Sequence, residues 1–301
     1  MNLILLILII LSPNLFAEDR LKFVDIFKEI PTTSKSSLKK SFSKESISPW
    51  SAILASTAVL YIYDEEIYKE MQKKGRDWRI GNEDNTKPVV TGFGQELVRL
   101  PTDIGSALYF LGDGWTHVGI ASGFLATGYL KDQTHEVNTG YMLMHGMIVS
   151  TIFNQALKRS FGRESPNVST HQRGSWRLFP SFNEYNSKTG SYDAMPSGHV
   201  MTATMTFTVL GERYPEFKLP IYALGSAWVS ALAFEMMNNG VHWASDYPLG
   251  IGMGILFGKM AVQMGKKENQ VKTSSEEREM NWIVVPSFYA GTTGLRAMAS
   301  F

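Results

Sequence analysis

The chain has no cysteine among its 301 residues, so neither a disulfide nor a thiolate metal site is open to it. It has almost no excess of either charge. Its 29 Lys and Arg face 28 Asp and Glu, and a formal net charge of +1 gives no support to a nucleic-acid-binding surface. Histidine is scarce, at six residues, and none falls in a His-Glu-x-x-His element. Only 19% of the residues are charged, while 44% are hydrophobic, more than a surface-dominated domain requires. The N-terminal run MNLILLILIILSPNLFA lacks the leading Lys or Arg of a secretory segment, yet its apolar core and the small residue at Ala17 otherwise match one. Residues 1–17 are therefore expected to be a signal peptide or an anchor. The body of the protein is then exported, periplasmic or membrane-associated, with its working site outside the cytoplasm.

Residues 32–48, TTSKSSLKKSFSKESIS, are rich in Ser and Lys, and the segment 18–49 reads as a solvated linker. Apolar segments then recur at 50–63, 115–130, 140–157, 199–211, 219–235 and 248–264, separated by Gly, Pro or charge clusters. Small residues are frequent inside them, as close helix packing favours. No strand-period pattern or internal repeat competes, so the fold class expected is all-α, a six-helix bundle over 50–264. The charged stretch 265–279 leads into IVVPSFYA-GTTG-LRAMASF, whose alternation predicts a short C-terminal β-hairpin within 265–301. Most of the apolar segments fall short of the roughly 20 residues a bilayer demands, which points to a bundle that touches or partly enters a membrane.

Three loops interrupt the bundle: LKRSFGRESPN at 157–167, AMPSGHV at 194–200, and NNGVHWASDYPLG at 238–250. If they meet at one end, they assemble Lys158, Arg159, Arg163, Ser197, His199, His242 and Asp246. Lys, Arg and the free N–H groups of a helix start hold a phosphate. A neutral imidazole can attack phosphorus, a carboxylate one helical turn away can steady that ring, and a second imidazole can protonate the leaving oxygen. Each residue also has a plainer role. Ser197 reads as an N-cap with His199 incidental to it, and Lys158 as a cation answering a helix C-terminus. Asp246, two residues before Pro248, reads as a cap, His242 as a packed core ring, and Arg163 as a solvated loop cation. It is the joint order and spacing that favours the chemistry.

These loops resemble the signature of the type 2 phosphatidic acid phosphatase (PAP2) superfamily, which includes bacterial acid phosphatases and vanadium haloperoxidases. That signature is Lys-x6-Arg-Pro, then Pro-Ser-Gly-His, then Ser-Arg-x5-His-x3-Asp. The resemblance spans about residues 110–262, including an LGDGW stretch similar to that of secreted members. It implies a six-helix fold, His242 as nucleophile, Asp246 orienting it and His199 as acid, with Lys158, Ser197 and Gly198 lining a phosphate pocket and no cofactor. The chain departs from the signature at two arginines. Ser165 stands seven residues after Lys158, and Met236, preceded by Glu235, stands six before His242. Each lost phosphate clamp is worth about 10²- to 10³-fold in rate. Arg163 is expected to substitute for them, with Arg159, Arg173 and Arg177 as further candidates.

The resulting expectation is a metal-independent phosphatase acting on a phosphomonoester or pyrophosphate, of a small molecule or a lipid, through a phosphohistidine. The alternative is a degenerate relative that binds phosphate or a lipid headgroup with little turnover. A vanadate-dependent haloperoxidase, or a metal oxygenase using His199, His242 and Asp246, are more distant readings.

Overall fold

The computed structural model describes residues 18–83, 85–92, 95–264, 281–289 and 292–300; the expected signal peptide and the charged stretch 265–279 lie outside these. Ten helices are present among the described residues. They are α1 (Asp25–Lys28), α2 (Ile30–Ser41), α3 (Ile47–Asp77), α4 (Ile104–Phe110), α5 (Gly114–Leu130), α6 (Thr134–Phe161), α7 (Phe182–Ser187), α8 (Gly198–Arg213), α9 (Lys218–Asn238) and α10 (Tyr247–Ala261). Each of the six apolar segments coincides largely with one of the long helices, and α3, α6 and α9 run past theirs. α3 has 31 residues, α6 has 28 and α9 has 21. Lys44–Asp77 and Pro215–Asn238 are long and apolar enough to cross a membrane, so the expectation that the helices are too short does not hold for these two.

The Ser/Lys-rich stretch is not a linker. It forms α2, and Thr33 and Ser37 are buried on it. His145 of α6 explains why: its ring nitrogens contact the Ile26 carbonyl at 2.7 Å and the Thr33 hydroxyl at 2.8 Å. A buried imidazole with two partners fixes the segment more firmly than its composition suggests. Further up the chain, Arg213 at the end of α8 forks onto the Glu18 carboxylate at 2.8 and 2.9 Å, and Asn138 accepts from the Leu21 N–H.

A second departure is a hairpin inside the region expected to be purely helical. β1 (Thr86–Gly92) pairs antiparallel with β2 (Gln95–Pro101), with register shifts on either side of Val90. Val89 and Val90 are both exposed, so no in-out alternation marks this strand in the sequence. The C-terminal unit, residues 265–301, holds β3 (Asn281–Tyr289) and β4 (Thr292–Ser300), paired antiparallel from Asn281↔Ser300 to Tyr289↔Thr292. The pairing takes Thr292 to Gly294 into the strand, where the sequence suggested a turn.

The contact that positions the site is between α8 and α10. A Cβ on Gly250 would lie 2.8 Å from the Ser197 carbonyl oxygen. One on Gly254 would lie 2.6 Å from that of Met201, and one on Gly258 would lie 2.6 Å from Thr208 Cβ and 2.9 Å from the Met205 carbonyl oxygen. Spaced one turn apart, the three glycines let the backbones touch. Both chains advance in the same direction along the contact, so the helices are parallel and their N-termini lie at one end. Those N-termini carry Pro-Ser-Gly-His and His242-x3-Asp246. Met201, Met205, Met253 and Phe257 fill the adjoining core with Leu143, Val149 and Leu210.

Gly254→Ala forces a methyl onto a carbonyl oxygen. It should destabilise by roughly 1–3 kcal/mol, outweighing the ~1 kcal/mol that alanine gains in helix propensity. Gly123→Ala in α5, where nothing lies within 4 Å of the added carbon, should stabilise instead. Thermal unfolding of the two variants checks the contrast; equal shifts would contradict the close-packed seam.

Candidate active site

Pro196 begins the approach to α8, after a cis Met195–Pro196 peptide. Ser197 caps the helix, its hydroxyl accepting from the Val200 N–H at 3.4 Å, and its own N–H donates to the Asp246 carbonyl at 3.2 Å. That backbone bond ties the second loop to the third. Gly198 passes close to α6, since a Cβ there would stand 3.1 Å from Asn154 Oδ1, and Asn154 donates to the Pro196 carbonyl. The first-turn N–H groups of α8 have no helical carbonyl partner, and α10 points its N-terminus to the same place. Positive ends of two helices are thus brought together at a point where an anion relieves both.

His242 is buried, and its Nδ1 lies 2.6 Å from the Ala194 carbonyl oxygen. A carbonyl can only accept, so Nδ1 carries the proton and the neutral ring keeps its lone pair on Nε2. That Nε2 is buried without a protein partner. The carboxylate of Asp246 stands 3.6 Å from Nδ1, too far for a hydrogen bond. The orienting contact expected of Asp246 is therefore made by Ala194, and Asp246 contributes a fixed negative charge next to the ring.

His199 faces His242 edge-to-face, with ring centroids 6.0 Å apart, and its Nδ1 is likewise buried without a partner. Burial, then the neighbouring His242 and Lys158, pushes the His199 pKa down to about 3. Lys158 thus lies within electrostatic range of His199. Its Nζ lies 3.4 Å from Asp193 in the loop that presents Ala194. Gly112 of the LGDGW stretch backs His199: a Cβ there would meet His199 Cβ at 2.7 Å and Leu232 at 2.8 Å.

Arg163 does not enter the pocket, and the expectation that it replaces a lost clamp is overturned. It is fully buried, with Nη1 on Asp246 at 2.5 Å and on Ser245 Oγ at 2.7 Å, and Nη2 on Asp64 at 2.7 Å and on the Arg173 carbonyl at 2.9 Å. Two buried carboxylates and the rings of Tyr61, Trp176 and Trp243 hold the guanidinium, a better-compensated place for a cation than an open cleft. The other candidates are also engaged. Arg159 lies over Tyr185, Arg177 pairs with Glu164, and Arg173 lies over Tyr61. At the two departed positions, Ser165 donates its N–H to the Gly190 carbonyl, and Met236 is buried against Val200, Leu232 and Tyr247. The site thus brings together Lys158, Ser197, Gly198, His199, His242 and Asp246, and leaves Arg163 behind them. Sequence reasoning missed Ala194, whose part is played by a backbone atom, and Asp193, Asp64 and Ser245, which no spacing rule marks; Gly112 lies in the LGDGW stretch it did single out.

Nor do His199, His242 and Asp246 form a metal site, since Asp246 Oδ1 and Oδ2 are already taken by Arg163 and by the Trp243 N–H at 2.8 Å. No group of three or more His, Asp or Glu side chains suited to a metal ion occurs among the described residues.

Gly112→Ala should displace His199, with the flexible end of Leu232 giving way beside it. A misplacement approaching 1 Å costs on the order of 10²-fold in rate, so hydrolysis of an aryl phosphate by this variant should fall at least tenfold while the fold, read by circular dichroism, is retained. Unchanged activity would show that His199 does not need its present position.

Comparison with known proteins agrees with the geometry in one respect. The PAP2 superfamily model matches residues 140–270. A solved transmembrane PAP2-type phosphatidylglycerolphosphate phosphatase from Bacillus subtilis is similar at 15% identity and a TM-score of 0.46, over 86% of this chain and 99% of its own. No curated protein matches the chain. The segment matched by the PAP2 superfamily model carries Lys158, the Pro-Ser-Gly-His turn, His242 and Asp246.

Proposed function

We propose that this chain is a metal-independent phosphatase that hydrolyses a phosphomonoester or pyrophosphate, with a phosphorylated lipid as the substrate class its surface suits best. The observation that carries the reading is the pair of buried imidazole nitrogens, His242 Nε2 and His199 Nδ1, without protein partners at the meeting of two helix N-termini. His242 Nε2 attacks phosphorus while the bond from phosphorus to the leaving oxygen breaks, and that oxygen takes its proton from His199. The phosphoryl group then sits on Nε2, Nδ1 still donates to Ala194, and Asp246 offsets the ring's positive charge. Water next attacks phosphorus, giving its proton to His199, and the P–N bond breaks to return His242 to its neutral form. Lys158 and the α8 N–H groups balance the charge on the phosphoryl oxygens.

With both signature arginines replaced, Lys158 is the cation that supports binding. That predicts a slower enzyme than the full signature would give. The apolar residues 1–17 support export, and a site outside the cytoplasm follows from it. Ile47, Leu54, Val59 and Ile62 on α3 and Leu219 on α9 are all more than half exposed, which supports contact with a membrane.

In the empty pocket His199 is neutral above about pH 3, so the proton it donates must enter with the substrate. A phosphate monoester supplies that proton as its monoanion, which is lost as pH rises through its second pKa near ~6. Accordingly kcat/KM should fall about tenfold per pH unit above pH ~6. Purified protein assayed in EDTA with an aryl phosphate, alongside His242→Ala, checks this. The reading requires EDTA-resistant hydrolysis that the variant lacks. Phosphate binding with no turnover by the folded wild type would favour the binding protein instead.

A further inference from the structure

Asp64 lies on α3, well before the segment 140–270 that matches the superfamily, yet it is as deeply buried as Asp246. Its Oδ2 accepts from Arg163 Nη2 at 2.7 Å and from the Ser245 hydroxyl at 2.6 Å, and its Oδ1 accepts from the Ser245 N–H at 3.0 Å. Ser245 precedes Asp246, and Arg163 bonds both Ser245 and Asp246. One carboxylate on α3 therefore fixes the backbone and side chain of the residue before Asp246, and also the guanidinium that grips Asp246 itself. We propose that Asp64 is a positioning residue of the reaction, setting the charge and orientation of Asp246 through Arg163 and Ser245. This rests on the phosphatase reading above.

The charge balance gives the argument its direction. Asp64 and Asp246 carry two negative charges around the single positive charge of Arg163, and among the described residues no other charged side chain hydrogen-bonds this buried cluster. One negative charge is left over, 3.6 Å from His242 Nδ1. During phosphoryl transfer the Nε2 lone pair becomes the P–N bond while Nδ1 keeps its proton, so the ring turns cationic. In the buried surroundings of Trp243, Tyr61 and Trp176 a spare negative charge acts on that ring with little screening. Without the Asp64 charge, Arg163 neutralises Asp246, and the ring faces a neutral pair. The empty site would look much the same; the cost falls on the state in which His242 is phosphorylated. A structural ion pair would serve as well anywhere in the bundle, but this one ends on the residue beside the nucleophile.

Asp64→Asn keeps the shape and removes the charge. The expected result with an aryl phosphate is a 10- to 100-fold fall in kcat with KM within about twofold. Vanadate, which bonds to the nucleophilic nitrogen as the transferring phosphoryl group does, should lose affinity by a similar factor, while inorganic phosphate should keep its own. A merely structural role would lower the active fraction and leave both inhibition constants alone. The double variant Asp64→Asn with Arg163→Gln restores one net negative charge on Asp246. Its kcat should return to within about tenfold of the wild type, and this holds as a test even if the single variant does not fold. An active wild type with an unaffected Asp64→Asn, or a folded double variant as inert as His242→Ala, overturns the proposal. An inactive wild type would instead overturn the phosphatase reading itself.

Discussion

Everything at the site depends on the parallel contact of α10 with α8. Gly250, Gly254 and Gly258 remove the side chains that would hold two helices about a side chain's width farther apart, and backbone meets backbone. Two parallel helix dipoles side by side repel, so this arrangement is favourable only with packing to drive it and with something negative at the shared N-terminal end. The methionine- and phenylalanine-rich core supplies the first, and Asp246 supplies the second. The Ser197 N–H bond to the Asp246 carbonyl then sets the spacing between the His199 loop and the His242 loop. Once these are fixed, the facing of His199 and His242 follows.

A second layer lies behind the imidazoles and is polar throughout. Ala194 fixes the tautomer of His242, Trp243 and Arg163 hold the two oxygens of Asp246, and Asp64 and Ser245 hold Arg163. Each member is satisfied, as a buried network must be if it is to order a site instead of destabilising it. It also joins α3, which precedes residues 140–270, to the end of the bundle where His199 and His242 face each other. The aromatic rings around Arg163 keep water from this network and so preserve the strength of its charges.

How much of this was legible in the sequence depended on whether a role is local. Pro-Ser-Gly-His and His242-x3-Asp246 could be read because cap, turn and one-turn spacing are properties of neighbouring residues. The six apolar segments could be read because helix packing repeats along the chain. Arg163 could not, since its destination is Asp64, 99 residues away, and the same Gly-Arg stretch fits an open loop or a buried ion pair equally well. The Ser/Lys-rich stretch was misread as linker because its helix is held by His145, whose contact with Thr33 spans 112 residues. The β1–β2 hairpin escaped because Val89 and Val90 are both exposed and no alternation announces a strand. Ala194 acts through its carbonyl, which any residue could have supplied.

The central claim is that His242 carries the phosphoryl group in the course of the reaction. The direct measurement is to quench the protein during turnover of a phosphate monoester, digest it, and locate the bound phosphoryl group by mass spectrometry. The account predicts an acid-labile, alkali-stable phosphate on the peptide containing His242, absent when His242 is replaced by alanine. Rapid turnover with no phosphoenzyme, or a phosphoryl group found on Ser197 or Asp246, would contradict it.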